Sequence, residues 1–368
     1  MSASLVIAAG GTGGHLIPAF AVAAAFERRL PDATVAFVGT ARGMESRLVP
    51  EAGYPLHLTS MRPFTRSAAG VLSAASVLPA TVQARRILRR LAADVVLGMG
   101  GYPSIPVVLA ARTLRLPILL HEQNAVPGLA NEVGARVTRH VAVSFPQTVG
   151  MLRHATLVGL PVREELRGEQ LAGQRDEALA AFELAGDRRT VLIFGGSLGA
   201  TRLNAAAIAL AERWRDRDDV QVLIGTGRAH GDEVAGSVPE GKLLVRVLPY
   251  LERMDLAYAA ADVVVGRAGA STVHELAVCG LPSILIPFPH ARRREQDANA
   301  RLLVDAGAAE VIADDALDGE RLGALLEEIL SDDERRARMA ESASSVARPR
   351  AAQEMAEWLA SLLDVRRG

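Results

Sequence analysis

Short apolar runs recur along the chain, several of them closed by glycine and followed by a longer alanine- and leucine-rich stretch. Runs of that length read as buried strands of a parallel sheet, and the longer stretches as the helices that cross between them. The first run, Leu5–Ala9, leads into Gly10-Gly11-Thr12-Gly13-Gly14-His15, and Leu16–Arg29 is helical in composition until Pro31-Asp32 breaks it. Thr34–Val38 is the next strand, so the chain opens as a βαβ unit. Further strands are predicted at Asp94–Leu97, Pro117–Leu120, Val137–Val143 and Ala155–Val158. Gly159-Leu160-Pro161-Val162-Arg163 then interrupts the alternation, and a polar, charged stretch runs on to Arg189.

Beyond that break the opening pattern returns. Thr190–Phe194 reads as a strand, Gly195-Gly196-Ser197-Leu198-Gly199 as a glycine-rich turn, and Ala200 onward as a helix. Strands are expected at Gln221–Gly225, Lys242–Val247, Asp262–Val265 and Pro282–Pro287. A helix is expected over Met254–Ala261, a polar loop over Pro289–Asn299, and a last helix over Glu354–Val365. The repeated device predicts an α/β fold of two Rossmann-like domains whose parallel sheets face an interdomain cleft. The expected division is residues 1–162, joined by a C-terminal helix at about 350–368 packing back on them, and residues 163–349.

Composition narrows the class. The 368 residues are 49% hydrophobic and contain one cysteine, Cys279, which excludes an intramolecular disulfide framework and fits a reducing compartment. The apolar start lacks the basic region of a signal peptide, and no uncharged run makes a good spanning helix. The net charge of −1 conceals an asymmetry: residues 1–162 carry 15 basic and 7 acidic side chains, while the remainder is acidic overall. From Ala52 to Ala93 there is no acidic residue, yet Arg62, Arg66, Arg85, Arg86, Arg89 and Arg90 flank the apolar Ala68–Leu78. That pattern suits a segment lying on an anionic membrane surface; an ordinary core helix with a solvated basic end fits the sequence equally.

Candidate chemistry begins at the first turn. A strand entering a glycine-rich turn and a helix start presents backbone N–H groups to a phosphate, and His15 adds an acid–base group with a free pKa of about 6.5. A dinucleotide fingerprint fails: Leu16 stands where the third glycine belongs, and Gly39-Thr40 offers no ribose-binding acid. There is no G-K-[ST], which removes a P-loop NTPase. Gly98, Gly100 and Gly101 form a second turn before Tyr102, and His121-Glu122-Gln123-Asn124 ends a strand. In the second half, Gly266–Glu275 follows a strand with small residues suited to a helix start. Glu275, placed in its first turn, complements the helix dipole or accepts from ribose hydroxyls. Asp216-Arg217-Asp218 matches an Asp-x-Asp pattern but sits in a run of alternating charge and reads as a solvated turn. No residue set has metal-ligand spacing, and no G-x-S-x-G elbow occurs.

These motifs, in order, resemble one family. GGTGGH at Gly10–His15, GMGGY at Gly98–Tyr102, HEQN at His121–Asn124, PVR at Pro161–Arg163 and GGSLGA at Gly195–Ala200 carry the likeness. GRAGASTVHE at Gly266–Glu275, GLP at Gly280–Pro282 and the Gln296…Asn299 segment extend it over the whole chain. The chain resembles the MurG family, bacterial UDP-N-acetylglucosamine transferases that convert lipid I to lipid II in peptidoglycan synthesis. The resemblance implies a GT-B architecture and an inverting transfer of GlcNAc to the 4-hydroxyl of MurNAc. It implies His15 as general base, with Thr12, Gly13 and Gly14 at the donor diphosphate. It implies further donor contacts at Asn124, Arg163 and Ser197, Leu251 against uracil, and Ala270, Ser271, Thr272, Val273, His274 and Glu275 at the nucleotide-binding helix start. Gln296 is implied to read the GlcNAc hydroxyls, and Gly100, Gly101 and Tyr102 to lie on the acceptor side. It further implies no obligatory cofactor and at most a stimulating divalent metal. The implied partners are UDP-GlcNAc, lipid I, the anionic cytoplasmic membrane surface and other cell-wall synthesis proteins, with no nucleic acid and a peripheral location on the cytoplasmic face. The rival readings are a UDP-GlcNAc 2-epimerase, another lipid-acceptor transferase, and a non-enzymatic sugar-nucleotide sensor.

Overall fold

The computed structural model describes residues 3–63, 69–166, 170–171, 173–196 and 199–367. They separate into two compact units, Met1–Arg163 with Arg348–Gly368, and Glu164–Ala347. Among the described residues no helix is long and apolar enough to cross a membrane.

The first unit contains β1 (Ser4–Ala8), α1 (Gly13–Arg29), β2 (Thr34–Gly39), α2 (Glu45–Glu51), β3 (Leu56–Leu58), α3 (Ala69–Arg90), β4 (Val95–Gly98) and α4 (Ser104–Thr113). It continues with β5 (Ile118–Glu122), α5 (Leu129–Gly134), β6 (His140–Val143) and β7 (Ala155–Leu157). All seven strands pair in parallel, in the order β3-β2-β1-β4-β5-β6-β7. The apolar run of β1 has no polar alternation because both sheet faces are covered. Leu5 and Ile7 pack in one layer with Leu16, Val22 and Phe26 of α1. Val6 and Ala8 pack in the other with Ala84 and Leu88 of α3 and Val107, Val108 and Ala111 of α4.

The second unit contains α6 (Arg175–Ala181), β8 (Arg189–Phe194), α7 (Thr201–Arg213), β9 (Val220–Gly225), α8 (Gly231–Ala235), β10 (Leu244–Leu248), α9 (Met254–Ala260) and β11 (Val263–Gly266). It is completed by α10 (Ala270–Cys279), β12 (Ser283–Leu285), α11 (Glu295–Val304), β13 (Ala309–Val311), α12 (Gly319–Leu330) and α13 (Asp333–Ser345). Its parallel sheet runs β10-β9-β8-β11-β12-β13. The last helix, α14 (Ala351–Arg367), belongs to the first unit and lies on α1. Met355, Ala356, Leu359, Leu362 and Leu363 enter the layer that holds Leu5 and Ile7. Each fully buried leucine or methionine of that stripe contributes roughly 1.5–3 kcal/mol.

Both sheets are the doubly wound type expected of a GT-B transferase. Each reverses direction beside its first strand, between β1 and β4 and between β8 and β11, and ligands of such sheets collect beyond the strand ends at that point. Two expectations change. The polar stretch Pro289–Asn299 is not all loop: Glu295–Val304 forms α11, whose first turn carries Glu295 and Asp297, acids that suit a helix N-terminus. And α1 starts at Gly13, three residues before Leu16, so that His15 stands in its first turn.

Candidate active site

In the first unit the turn after β1 and the turn after β4 meet at the reversal point. Gly11 adopts φ 91°, and Thr12, in an extended conformation, caps α1. As the first residues of a helix, Gly13 and Gly14 have N–H groups without intrahelical partners, which is where an anion is held. Gly101, at φ 73°, allows the second turn to close on the first: a Cβ there would lie 2.6 Å from the Gly10 carbonyl oxygen. A Cβ on Gly100 would lie 3.4 Å from His15 Cδ2, so the second turn borders the imidazole. The Tyr102 hydroxyl meets Thr40 Oγ1 at 2.9 Å.

His15 Nδ1 is 2.9 Å from Thr12 Oγ1. Burial depresses the imidazole pKa from 6.5 to about 4, and the Glu45 carboxylate opposes that shift. The ordinary histidine value expected from the sequence is therefore replaced by a neutral ring at pH 7. Of its two tautomers, the one with Nδ1–H donating to Thr12 leaves the Nε2 lone pair open to take a proton.

Asn124 follows β5, its backbone N–H donating to Glu122 Oε1 at 2.9 Å. The Glu122 carboxylate is buried and also accepts from Gly128 N and Asn131 Nδ2, both at 2.9 Å; burial raises its pKa and these bonds oppose the rise. Arg163 closes the unit, and its buried Nε has no partner among the described residues.

In the second unit, Gly199 at φ 76° brings the turn after β8 against the Thr226 carbonyl, which also accepts from Asn204 Nδ2 at 3.0 Å. Ser197 and Leu198 lie outside the described residues. Leu251, buried, packs on Gly225 at the end of β9. Helix α10 begins at Ala270 with Gly269 as cap and no side chain on its free N–H groups. Ser271 Oγ, in that first turn, is buried without a partner among the described residues. Thr272 follows, half-buried, whereas Val273 and His274 turn into the core, His274 Nδ1 lying 2.9 Å from the Ala270 carbonyl. Glu275 is the sixth residue of α10, so the first-turn placement is corrected: its carboxylate accepts from the Tyr258 hydroxyl at 2.8 Å. Gln296 stands in the first turn of α11, where its Oε1 accepts from Phe288 N at 2.9 Å.

The arginines singled out for a membrane lie elsewhere, on and before α3. Arg62, Arg86, Arg89 and Arg90 are exposed, and Arg85 donates to Thr113 Oγ1 at 2.9 Å. Arg66 lies outside the described residues. On the same helix Leu78 is 73% exposed and Val82 44%. Among the described residues no group of three or more His, Cys, Asp or Glu side chains is placed to hold a metal ion. Two residues of the first site escaped sequence reasoning: Thr40 and Glu45. The one signal was a carboxylate close behind Gly39 and Gly43, too common a pattern to select.

The profiles of the glycosyltransferase family 28 N-terminal and C-terminal domains match residues 5–143 and 190–355. The two α/β units are thus those of a glycosyltransferase of this class. A curated UDP-N-acetylglucosamine–N-acetylmuramyl-(pentapeptide) pyrophosphoryl-undecaprenol N-acetylglucosamine transferase from a Nocardioides species is 43% identical over 352 residues, 95% of either chain. The crystal structure of Acinetobacter baumannii MurG matches with a TM-score of 0.79 at 31% identity, over 98% of this chain and 100% of that one. A UDP-N-acetylglucosamine 2-epimerase matches with a TM-score of 0.68 at 13% identity, over 100% and 98%, a likeness of fold alone. The chain belongs to the MurG family.

Proposed function

We propose that this protein transfers GlcNAc from UDP-GlcNAc to the 4-hydroxyl of MurNAc in lipid I, giving lipid II, with inversion at the anomeric carbon. Family membership over the full length supports the reaction, and the neutral His15 at the reversal point of the first sheet is the observation that carries the mechanism.

The acceptor hydroxyl gives its proton to His15 Nε2 as its oxygen bonds to the anomeric carbon, and the bond from that carbon to UDP breaks. A positioned base of this kind contributes about 10²–10⁴-fold. The leaving diphosphate gains negative charge, which free N–H groups at a helix start, such as those of α10, are suited to stabilise without an obligatory metal. The orphaned Ser271 Oγ and Arg163 Nε have unused hydrogen-bonding capacity for the same donor. Thr12, Asn124, Leu251, Glu275 and Gln296 complete the donor set, with Gly100, Gly101 and Tyr102 on the acceptor side. An epimerase needs a carboxylate free to act on the sugar. Glu122, the candidate for that role, is instead spent on Asn124, Gly128 and Asn131.

The exposed Leu78 and Val82, beside the basic face of α3, support docking on an anionic membrane surface, the cytoplasmic leaflet where lipid I resides. Replacing Arg86, Arg89 and Arg90 by glutamine is expected to reduce sedimentation with anionic vesicles; undiminished binding refutes the docking. For the reaction, purified protein with labelled UDP-GlcNAc and a lipid I analogue is expected to yield a lipid-linked disaccharide. Epimerised UDP-sugar without transfer overturns the assignment.

A further inference from the structure

Glu45 places a carboxylate in the interior of the first unit, completely shielded from solvent, and the reaction as written does not use it. Its Oε2 accepts from Gly11 N at 2.9 Å, and its Oε1 accepts from Thr40 N at 2.9 Å and Thr40 Oγ1 at 2.7 Å. Through the Thr40 hydroxyl the same cluster reaches the Tyr102 hydroxyl. The ends of β1, β2 and β4 are therefore tied to one anion. The backbone has no room for side chains around it: a Cβ at Gly10 would come within 2.6 Å of the carboxylate, one at Gly39 within 2.5 Å of the Glu45 Cγ, and one at Gly43 would overlap the carboxylate.

A buried carboxylate is costly to desolvate, and here donors on both oxygens offset that cost and hold the side chain in place. Beyond that packing, the charge bears on the turn above it. We propose that Glu45 is a positioning residue of the transfer: it pins the Gly10–Gly14 turn through the Gly11 N–H and sets a fixed negative charge behind His15. The inference rests on the reading of His15 as the base.

Three consequences follow from the geometry. The Gly11 N–H points down to Glu45, so the anion-binding donors of the turn are those of Gly13 and Gly14 at the helix start. Thr12, the cap of its helix, meets the imidazole, and Gly100, with neutral Gln123 and Asn131 beside it, borders the ring. The Glu45 carboxylate acts on it through its charge. Its field partly offsets the desolvation of the ring and stabilises the imidazolium that forms when the acceptor proton arrives.

The test is Glu45→Gln, an isosteric change that removes the charge. With the fold checked by circular dichroism and melting, kcat for disaccharide formation is expected to fall roughly tenfold or more, while KM for UDP-GlcNAc stays within about threefold. The His15 imidazole titration, followed by NMR in the free protein, is expected to move to lower pH. A plain structural role predicts the reverse split, with KM rising and the His15 midpoint unmoved. That result, or an unchanged kcat, overturns the proposal. If Glu45→Gln does not fold, Thr40→Val takes its place. It removes one hydrogen bond to the carboxylate and the link to Tyr102, and is expected to lower kcat about threefold with KM unchanged; wild-type kcat overturns the proposal. Should the unmodified protein form no disaccharide, the functional reading fails by itself, and the NMR titration still decides the role of Glu45.

Discussion

The two glycine-rich turns follow equivalent strands, β1 and β8, at the reversal point of equivalent sheets, yet they are held in different ways. The first rests on a charge: Gly11 donates to buried Glu45, and His15 follows four residues later with its pKa pressed down to about 4. The second has no buried carboxylate beneath its described residues: Gly199 closes on the Thr226 carbonyl, which Asn204 engages, with the His230 ring beside it. Under the proposed reaction the first turn adds a base, His15, to the free N–H groups of Gly13 and Gly14. Similar strand order and turn composition thus do not imply similar work; the ionisable groups beneath and beside the turn decide it.

Substitutions in the two turns sharpen that contrast. The largest effect is expected from His15→Ala: kcat falls by about 10²–10⁴ while the Kd for UDP-GlcNAc, read by calorimetry, changes less than about threefold. A matching loss of affinity reduces His15 to a structural part of its turn. In the second unit the pattern inverts. Gly199→Ala forces an alanine to a positive φ and its Cβ against the Thr226 carbonyl, a strain of about 1–3 kcal/mol. The displaced turn is expected to raise KM for UDP-GlcNAc about tenfold with a smaller change in kcat, and to lower the melting temperature. A change in kcat with KM intact breaks the division of labour between the turns. The smallest effect belongs to Ser271→Ala. Its hydroxyl has no partner among the described residues, so stability is expected to hold, while KM rises roughly 2- to 5-fold from one lost hydrogen bond. A loss of stability without a change in KM shows that the hydroxyl serves the fold.

Most strands and both turns were legible because apolar runs closed by glycine are local signals. The three-residue strands β3 and β13 were not: Leu56–Leu58 and Ala309–Val311 are edge strands too short to show a period. Helix α11 was hidden because charged and amide residues dominate Glu295–Asn299, although the acids of its first turn favour a helix there. Within the site, His15 and Ser271 could be named from motifs, but their states could not. The depressed histidine pKa comes from tertiary burial, and the charge that opposes it belongs to Glu45, thirty positions away, which no local pattern links to it. Glu275 was misplaced by one turn because nothing in Gly266–Ser271 marks where the helix begins.

The last helix has a consequence for biosynthesis. Because α14 supplies Met355, Leu359 and Leu363 to the layer that also holds Leu5 and Phe26, the first unit is discontinuous in sequence. Residues 1–163 are synthesised before α14, and they remain without that side of their core until it is made. The second unit, Glu164–Ala347, is whole before then and is free to mature first. In the meantime the nascent first half exposes an apolar α1 surface, a natural target for chaperones, and a premature stop within α14 would leave that surface bare for good.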